Sequence, residues 1–241
     1  MIDVRRIDFV AVPVEDLPAA DAWYGETLGL PRNPSTSGDR WVEYETGNLT
    51  VALSQFGGAI AIGVDDVDAA RATLEEAGVE FHGETFDSGV CNGAPFTAPD
   101  GNRLLLHRRY APLEPYDKPA TEVLRTDFLS VPVPDLEQAK SFYGETLGIP
   151  RNHQAHESHP EFETGNVTIS LLATSGDSTP SIALRVPDVA AARERLEDAG
   201  VQFDGEVFDT GVCHVAFFED PGGNRLALHR RYAPYPDGSM P

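Results

Sequence analysis

The sequence predicts an α+β protein built as two tandem domains, and three observations carry that reading. Residues 9–33, FVAVPVEDLPAADAWYGETLGLPRN, return at 128–152 as FLSVPVPDLEQAKSFYGETLGIPRN, 119 residues further on in a chain of 241. A repeat of this length means two ordinary domains rather than one large one. Each copy passes from a short alternating apolar segment into an Asp-started amphipathic stretch and leaves it at a glycine, the order strand, helix, exit. Gly-Asn and Asp-Gly dipeptides between further apolar runs mark hairpins, so strands outnumber helices.

Domain one is expected over residues 3–110. Its first strand, 7–14, alternates, with Val10 and Val12 on one face and Phe9 and Ala11 on the other. Asp16 caps a helix over 17–27 that ends near Gly29. Strands over 41–45 and 49–54 form a hairpin turned at Gly47-Asn48. A strand over 59–64 and a helix over 67–77, stopped by Gly78, open a second strand–helix–strands unit. Strands over 81–86, 90–96 and 103–107 complete it, with Asp100-Gly101-Asn102 as a tight turn. Residues 111–123 are a proline-bearing linker. Domain two, 124–232, repeats the programme with helices over 136–146, where Asp135 and Gln138 form a capping pair, and 189–199. Residues 233–241 form a Pro/Gly tail.

A hydrophobic content of 41% suffices for two cores, and no apolar run approaches the roughly 20 residues that cross a bilayer. The N-terminal residues lack a signal-peptide apolar stretch, so a cytoplasmic location is expected. The formal net charge of −21 repels nucleic acid and anionic membrane surfaces, which leaves small molecules as the expected partners. Cys91 and Cys213 occupy matching places in the repeats, without CxxC spacing, and read as small buried strand residues. No GxGxxG, P-loop, GxSxG or HExxH signature is present.

The pattern V-P-V-x-D-L…Y-x-x-x-L-G-L/I, the strand endings V-D-D-V-D-A-A and V-P-D-V-A-A-A, and G-N-R-L before the last strand, preceded by Asp in one half and Pro-Gly in the other, recur across the two halves. Together they resemble the vicinal-oxygen-chelate superfamily, which includes glyoxalase I, extradiol dioxygenases, bleomycin-resistance proteins and fosfomycin-resistance enzymes. The resemblance implies four βαβββ modules, paired so that a curled mixed sheet surrounds a cavity in each domain. The chain would then be a monomeric single-chain pseudo-dimer, or a homodimer of such chains.

The resemblance also implies a divalent ion on the cavity face, held by four strand positions per domain. In domain one these match Phe9, Ala52, Ala59 and Leu105; in domain two, Phe128, Ser170, Ser181 and Ala227. None of these side chains is an imidazole, thiolate or carboxylate, so no metal and no other cofactor is expected. The favoured reading is a metal-free, non-catalytic binding protein holding an apolar or aromatic ligand against Phe9 or Phe128. Arg103 and His107 in domain one are expected to face the cavity, as are Ser130, Ser170, Ser181, Arg185 and Arg225 in domain two. Domain two, the more polar, is the stronger candidate. The alternative is a metal-dependent glyoxalase-like lyase or dioxygenase with relocated ligands, for which His214, His229 and Glu161 are the candidates; the two histidines could also serve metal-free acid–base catalysis. The histidines at 153, 156 and 159 lie in a loop with no rigid support, and Arg32-Asn33 and Arg151-Asn152 read as turn residues.

Overall fold

The computed structural model describes residues 1–153, 155–174, 180–235 and 238–239. Domain one opens with β1 (Arg6–Pro13) and α1 (Leu17–Ala22), followed by β2 (Arg32–Gly38), β3 (Trp41–Glu45) and β4 (Thr50–Ser54). Its second module is β5 (Ala59–Gly63), α2 (Val67–Glu76), β6 (Phe86–Asp87), β7 (Cys91–Thr97) and β8 (Arg103–Arg109). Domain two begins with β9 (Arg125–Val133), α3 (Leu136–Ser141), β10 (Arg151–Asn152), β11 (Glu161–Glu163) and β12 (Thr168–Ala173). It closes with β13 (Ser181–Arg185), α4 (Val189–Asp198), β14 (Phe208–Asp209), β15 (Cys213–Glu219) and β16 (Arg225–Arg231).

Each domain is one eight-stranded mixed sheet, in the order β2-β3-β4-β1-β5-β8-β7-β6 and β10-β11-β12-β9-β13-β16-β15-β14. The first and fifth strands of each domain join its two modules antiparallel, and each module's first and last strands run parallel. The alternating apolar residues decide which face is covered. Val10, Val12, Val51, Leu53, Ile60 and Ile62 are all buried on the helix side, and so are Leu129, Val131, Ile169 and Leu171. Both sets belong to one continuous core that runs from domain to domain.

Capping follows the sequence: the carboxylates of Asp16, Asp66 and Asp188 each accept the N–H three residues on, and Asp135 accepts from Glu137 and Gln138. The first helix of each domain is shorter than its apolar pattern. It passes into a π-helical turn, Trp23–Thr27 or Phe142–Thr146, closed by a 2.9 Å bond from Leu28 to Trp23 or from Leu147 to Phe142. This turn seats Tyr24 so that its fully buried hydroxyl donates to Asp220 of the other domain at 2.9 Å. The strand expected over 81–86 shrinks to a bridge at Phe81 and the two residues of β6, because the chain turns at Gly83 with φ +81°. β2 and β10 are strands that their polar residues do not announce.

The domains are tied by reciprocal asparagines. Asn166, in the β11–β12 turn, accepts from the Ile7 amide at 3.0 Å and donates to the Ile7 carbonyl at 2.8 Å. Asn48, in the β3–β4 turn, does the same for Thr126, at 2.8 Å in both directions. Each also donates to the other's carbonyl, at 2.7 and 2.8 Å. Asn102 and Asn224, from the repeated G-N-R-L motif, reach across to the carbonyls of Pro132 and Pro13 at 2.9 and 3.0 Å. Ile7 and Thr126 each precede a β-bulge, where pairing skips from Ile7 to Phe9 and from Thr126 to Phe128. The partner domain's amide thus supplies what the interrupted strand lacks.

Asn166→Ala leaves the Ile7 backbone groups unpaired inside the interface. The expected cost is about 1–3 kcal/mol of unfolding free energy in urea titrations, with an unchanged m-value. A variant as stable as wild type would show that the clamp contributes nothing.

Candidate functional site

A cavity of about 730 Å³ lies on the side of the domain-one sheet away from the helices. Phe9, Trp41 and Leu105 form apolar walls, with Phe9 edge-on to Trp41 at 5.3 Å. Arg6, Arg103 and Arg109 bring positive charge, and Glu43 and Glu45 line the opposite wall. Glu43 accepts from Trp41 Nε1 at 2.8 Å and from the Thr36 hydroxyl. Burial pushes the Glu45 carboxyl above the usual range, against the opposing pull of Lys118.

Strand register shows how the positions that the resemblance matched to the family's ion lie on the sheet. Phe9 lies level with Thr50 on β4 and Ala61 on β5, and Ala61 lies level with Leu105 on β8. In domain two the same row is Thr168, Phe128, Ala183 and Ala227. Ala52 and Ala59 (Ser170 and Ser181) lie in the neighbouring row, level with Ala11 (Ser130). Neither row carries an imidazole, thiolate or carboxylate on these four strands. The donor set does not fit the family's divalent ion, and among the described residues no three His, Cys, Asp or Glu side chains form a metal-binding group.

One end of the cavity holds a different constellation. The bulge in β1 breaks its alternation: Ile7 and Val10 are in the core, while Asp8 and Phe9 both face the cavity. Asp8 receives His107 Nδ1 at 2.6 Å on one oxygen and Arg6 Nε at 2.6 Å on the other. Gly63 makes the room, since a Cβ there would lie 2.9 Å from the Asp8 carboxylate. Phe9 sets its ring edge against the imidazole at 5.1 Å. On β7, Cys91 faces the same cavity, diagonal to His107 because Gly93 is the residue directly opposite. The Cys91 sulfur also lies 3.1 Å from the Ser88 hydroxyl.

The electrostatics follow from these contacts. Burial works against protonating His107, but the hydrogen bond to Asp8, then Cys91, overcome it and push the imidazole up to about 9. Burial likewise opposes ionisation of Asp8, yet His107 and then Arg6 hold its carboxyl below the usual range. The hydrogen-bonding influence of His107 lowers the Cys91 thiol, outweighing burial, with help from Ser88 and Arg109.

Domain two carries the same three groups. His229 Nδ1 lies 2.5 Å from Asp127, and Phe128 sits edge-on to the ring at 5.2 Å. The second Asp127 oxygen accepts from Arg185 at 2.7 Å, and Arg185 replaces Gly63 at the position level with the histidine. His229 is pushed up to about 9: burial opposes the change, while Asp127 and then Cys213 drive it. Burial resists ionisation of the Cys213 thiol, but His229 and Arg231 lower it overall. Val215 takes the place of Gly93 and packs with Ala183 and Ala227 against Phe128 and Cys213.

Of the residues singled out from sequence, Phe9, Arg103 and His107 line the domain-one cavity. Glu161, Ser170, Ser130 and Ser181 form one row across the domain-two sheet, where domain one has Glu43, Ala52, Ala11 and Ala59. Burial raises the Glu161 carboxyl above the usual range. Arg185 is bound to Asp127, whereas Arg225 is exposed and pairs with Asp204 at 3.3 Å. His214 does not join His229 and Glu161. It alternates away from Cys213 and Val215 on β15, half-exposed, stacked on Tyr232 at 4.8 Å. His156 and His159 each hydrogen-bond Ser158 on the surface, and Gln154 of the same loop lies outside the described residues. Asp8, Asp127, Cys91 and Cys213 are the residues that sequence reasoning missed; their recurrence in both repeats was the available signal.

The pairing has a pH signature. A histidine raised to about 9 contributes stability that is complete below its unfolded value near 6.5 and is lost as pH climbs through about 9. Asp8→Asn is therefore expected to lower the melting temperature at pH 7, with the gap to wild type closing above pH 9, and to return the His107 NMR titration towards about 6.5. A wild-type midpoint already near 6.5 would contradict the pairing.

A profile for the Glyoxalase/Bleomycin resistance protein/Dioxygenase superfamily matches residues 6–106 and again 125–228. No curated protein sequence matches the chain significantly. Among solved structures, the Mn(II)-bound glyoxalase from Novosphingobium aromaticivorans is similar over 94% of this chain and 82% of its own, at 19% identity and a TM-score of 0.73. The 2,3-dioxygenase LapB from Pseudomonas sp. KL28 is similar over 100% and 97% of the two chains, at 16% identity and a TM-score of 0.69. Homoprotocatechuate 2,3-dioxygenase from Arthrobacter globiformis is similar over 99% and 84%, at 16% identity and a TM-score of 0.71. Sheet order, duplicated modules and profile agree: the chain belongs to the glyoxalase/bleomycin-resistance/dioxygenase superfamily, as a tandem two-domain member.

Proposed function

We propose that the chain binds a small, largely apolar or aromatic molecule in the domain-one cavity, without the divalent ion at the family's position. The observation that carries this is the cavity itself. Its volume of about 730 Å³ suits a small organic molecule, and an apolar floor with a few charged groups at one end is the usual make-up of such a site. Phe9 and Trp41 offer ring faces and edges, while Arg103 and Arg109 favour a ligand carrying a carboxylate or phenolate.

The structural neighbours favour a second reading more strongly than they favour passive binding. They are named as a Mn(II)-bound glyoxalase and as 2,3-dioxygenases, which points to a metal-dependent lyase or dioxygenase with its ligands moved to other positions. Against it stands the chemistry of the row through Phe9 and of the row through Phe128, and His214 faces away from the other two relocated candidates.

Two measurements separate these readings. Aromatic carboxylates and phenols are expected to raise the melting temperature, a ligand at 100 times its Kd adding about 2.7 kcal/mol, and Ala59→Phe, which fills the cavity floor, is expected to abolish the shift. Elemental analysis after chelation and reloading with Mn, Fe, Ni or Zn is expected to find no stoichiometric ion. A stoichiometric ion retained by wild type and lost in His229→Ala would establish the metalloenzyme reading instead.

A further inference from the structure

We propose that Cys91, His107 and Asp8, and equally Cys213, His229 and Asp127, form a reactive-thiol site in each domain, whose sulfur adds covalently to the conjugated carbonyl of a ligand. The three groups come from three strands that the sheet alone brings together. Asp8 sits on the β1 bulge, His107 on β8 and Cys91 on β7. The histidine is hydrogen-bonded to the carboxylate through Nδ1, and both belong to the walls of a cavity large enough for an organic molecule. A nucleophile beside a base that a third group orients is the arrangement that activates a thiol. The chain builds it twice, while the neighbouring row of Ala52, Ala11 and Ala59 has become Ser170, Ser130 and Ser181.

The surroundings select the reaction class. Acyl transfer needs free N–H donors for an oxyanion, and here the amides of Val90 and Cys91 both donate to the Ser88 hydroxyl, at 3.4 and 3.1 Å. Addition to a conjugated carbonyl needs no such donors and has no leaving group. Cys91 rests as a thiolate beside the His107 imidazolium, its proton already on the ring, and the sulfur lone pair forms a bond to the β-carbon. The C=C electron pair moves onto the α-carbon and carbonyl oxygen, and the His107 proton then returns to the α-carbon. Thiol and enone become a thioether, with no oxidant or co-reactant required. The charged groups facing Cys91 are His107 and Arg109 from β8, with the Ser88 hydroxyl beside it; Arg6 and Asp8 stand behind the imidazole. Arg231 and the Thr210 hydroxyl play these parts for Cys213.

The proposal uses the cavity only as a route of access, so its test does not depend on the ligand proposed above. The full-length Cys213→Ser protein is treated with N-phenylmaleimide, a conjugated carbonyl, and the rate of adduct formation is read by intact mass and peptide mapping from pH 5 to 9, with glutathione as the reference thiol. Cys91 is expected to react on the order of tenfold faster than glutathione near pH 6, with its rate already levelling below pH 8, because a thiolate persists there that a free thiol of pKa about 8.5 lacks. His107→Gln is expected to bring both rate and midpoint back to those of glutathione. Asp8→Asn, which keeps the imidazole, gives the same answer should His107→Gln not fold. The reciprocal Cys91→Ser protein reports on Cys213. Labelling no faster than glutathione at every pH, or a folded His107→Gln that reacts like wild type, overturns the proposal, whether or not aromatic ligands bind.

Discussion

The interrupted pairing of β1 and β9 is the constraint on which the rest depends. A bulge frees backbone groups, and unpaired ones inside a protein are costly. Here the amide and carbonyl of Ile7 and of Thr126 are taken up by Asn166 and Asn48 of the opposite domain. That exchange makes the domain-one cavity, and the matching strands of domain two, a property of both domains. The residue after each clamped position is the aspartate that orients the histidine, so the interface and the cavity chemistry share one short piece of backbone.

Charge is concentrated where the apolar face ends. A buried carboxylate and a buried imidazole each lose hydration, and only their mutual bond makes both charges tolerable. The two domains complete the pair differently. Domain one brings Arg6 to the second oxygen of Asp8 and has glycines at 63 and 93, where a Cβ would crowd Asp8 and Phe86; domain two has Arg185 and Val215 at those places. The same Asp–His geometry is thus kept with two different sets of neighbours.

Much of the fold could be read in the residues. Period-two alternation on β1, β4, β5 and β8 assigned the covered face, and aspartates marked the helix starts. Asp8 could not be read the same way. Strict alternation places it with Val10 on the covered face, and only the bulge turns it towards Phe9. Cys91 looked like a small buried strand residue because nothing in the sequence joins position 91 to positions 8 and 107; strand order does. The π-helical turns were hidden because a helix and a π turn share apolar spacing over so few residues, and the polar edge strands because pairing rather than composition defines them.

The serine row of domain two, against the alanine row of domain one, changes what the duplication means. Two identical subunits would offer two identical chambers, and any mutation would alter both. Joined in one polypeptide, the halves are free to drift apart while remaining present in equal number and locked to each other. Ser170, Ser130 and Ser181 present hydroxyls where Ala52, Ala11 and Ala59 present methyl groups, so the second sheet offers hydrogen bonds along a row where the first offers none.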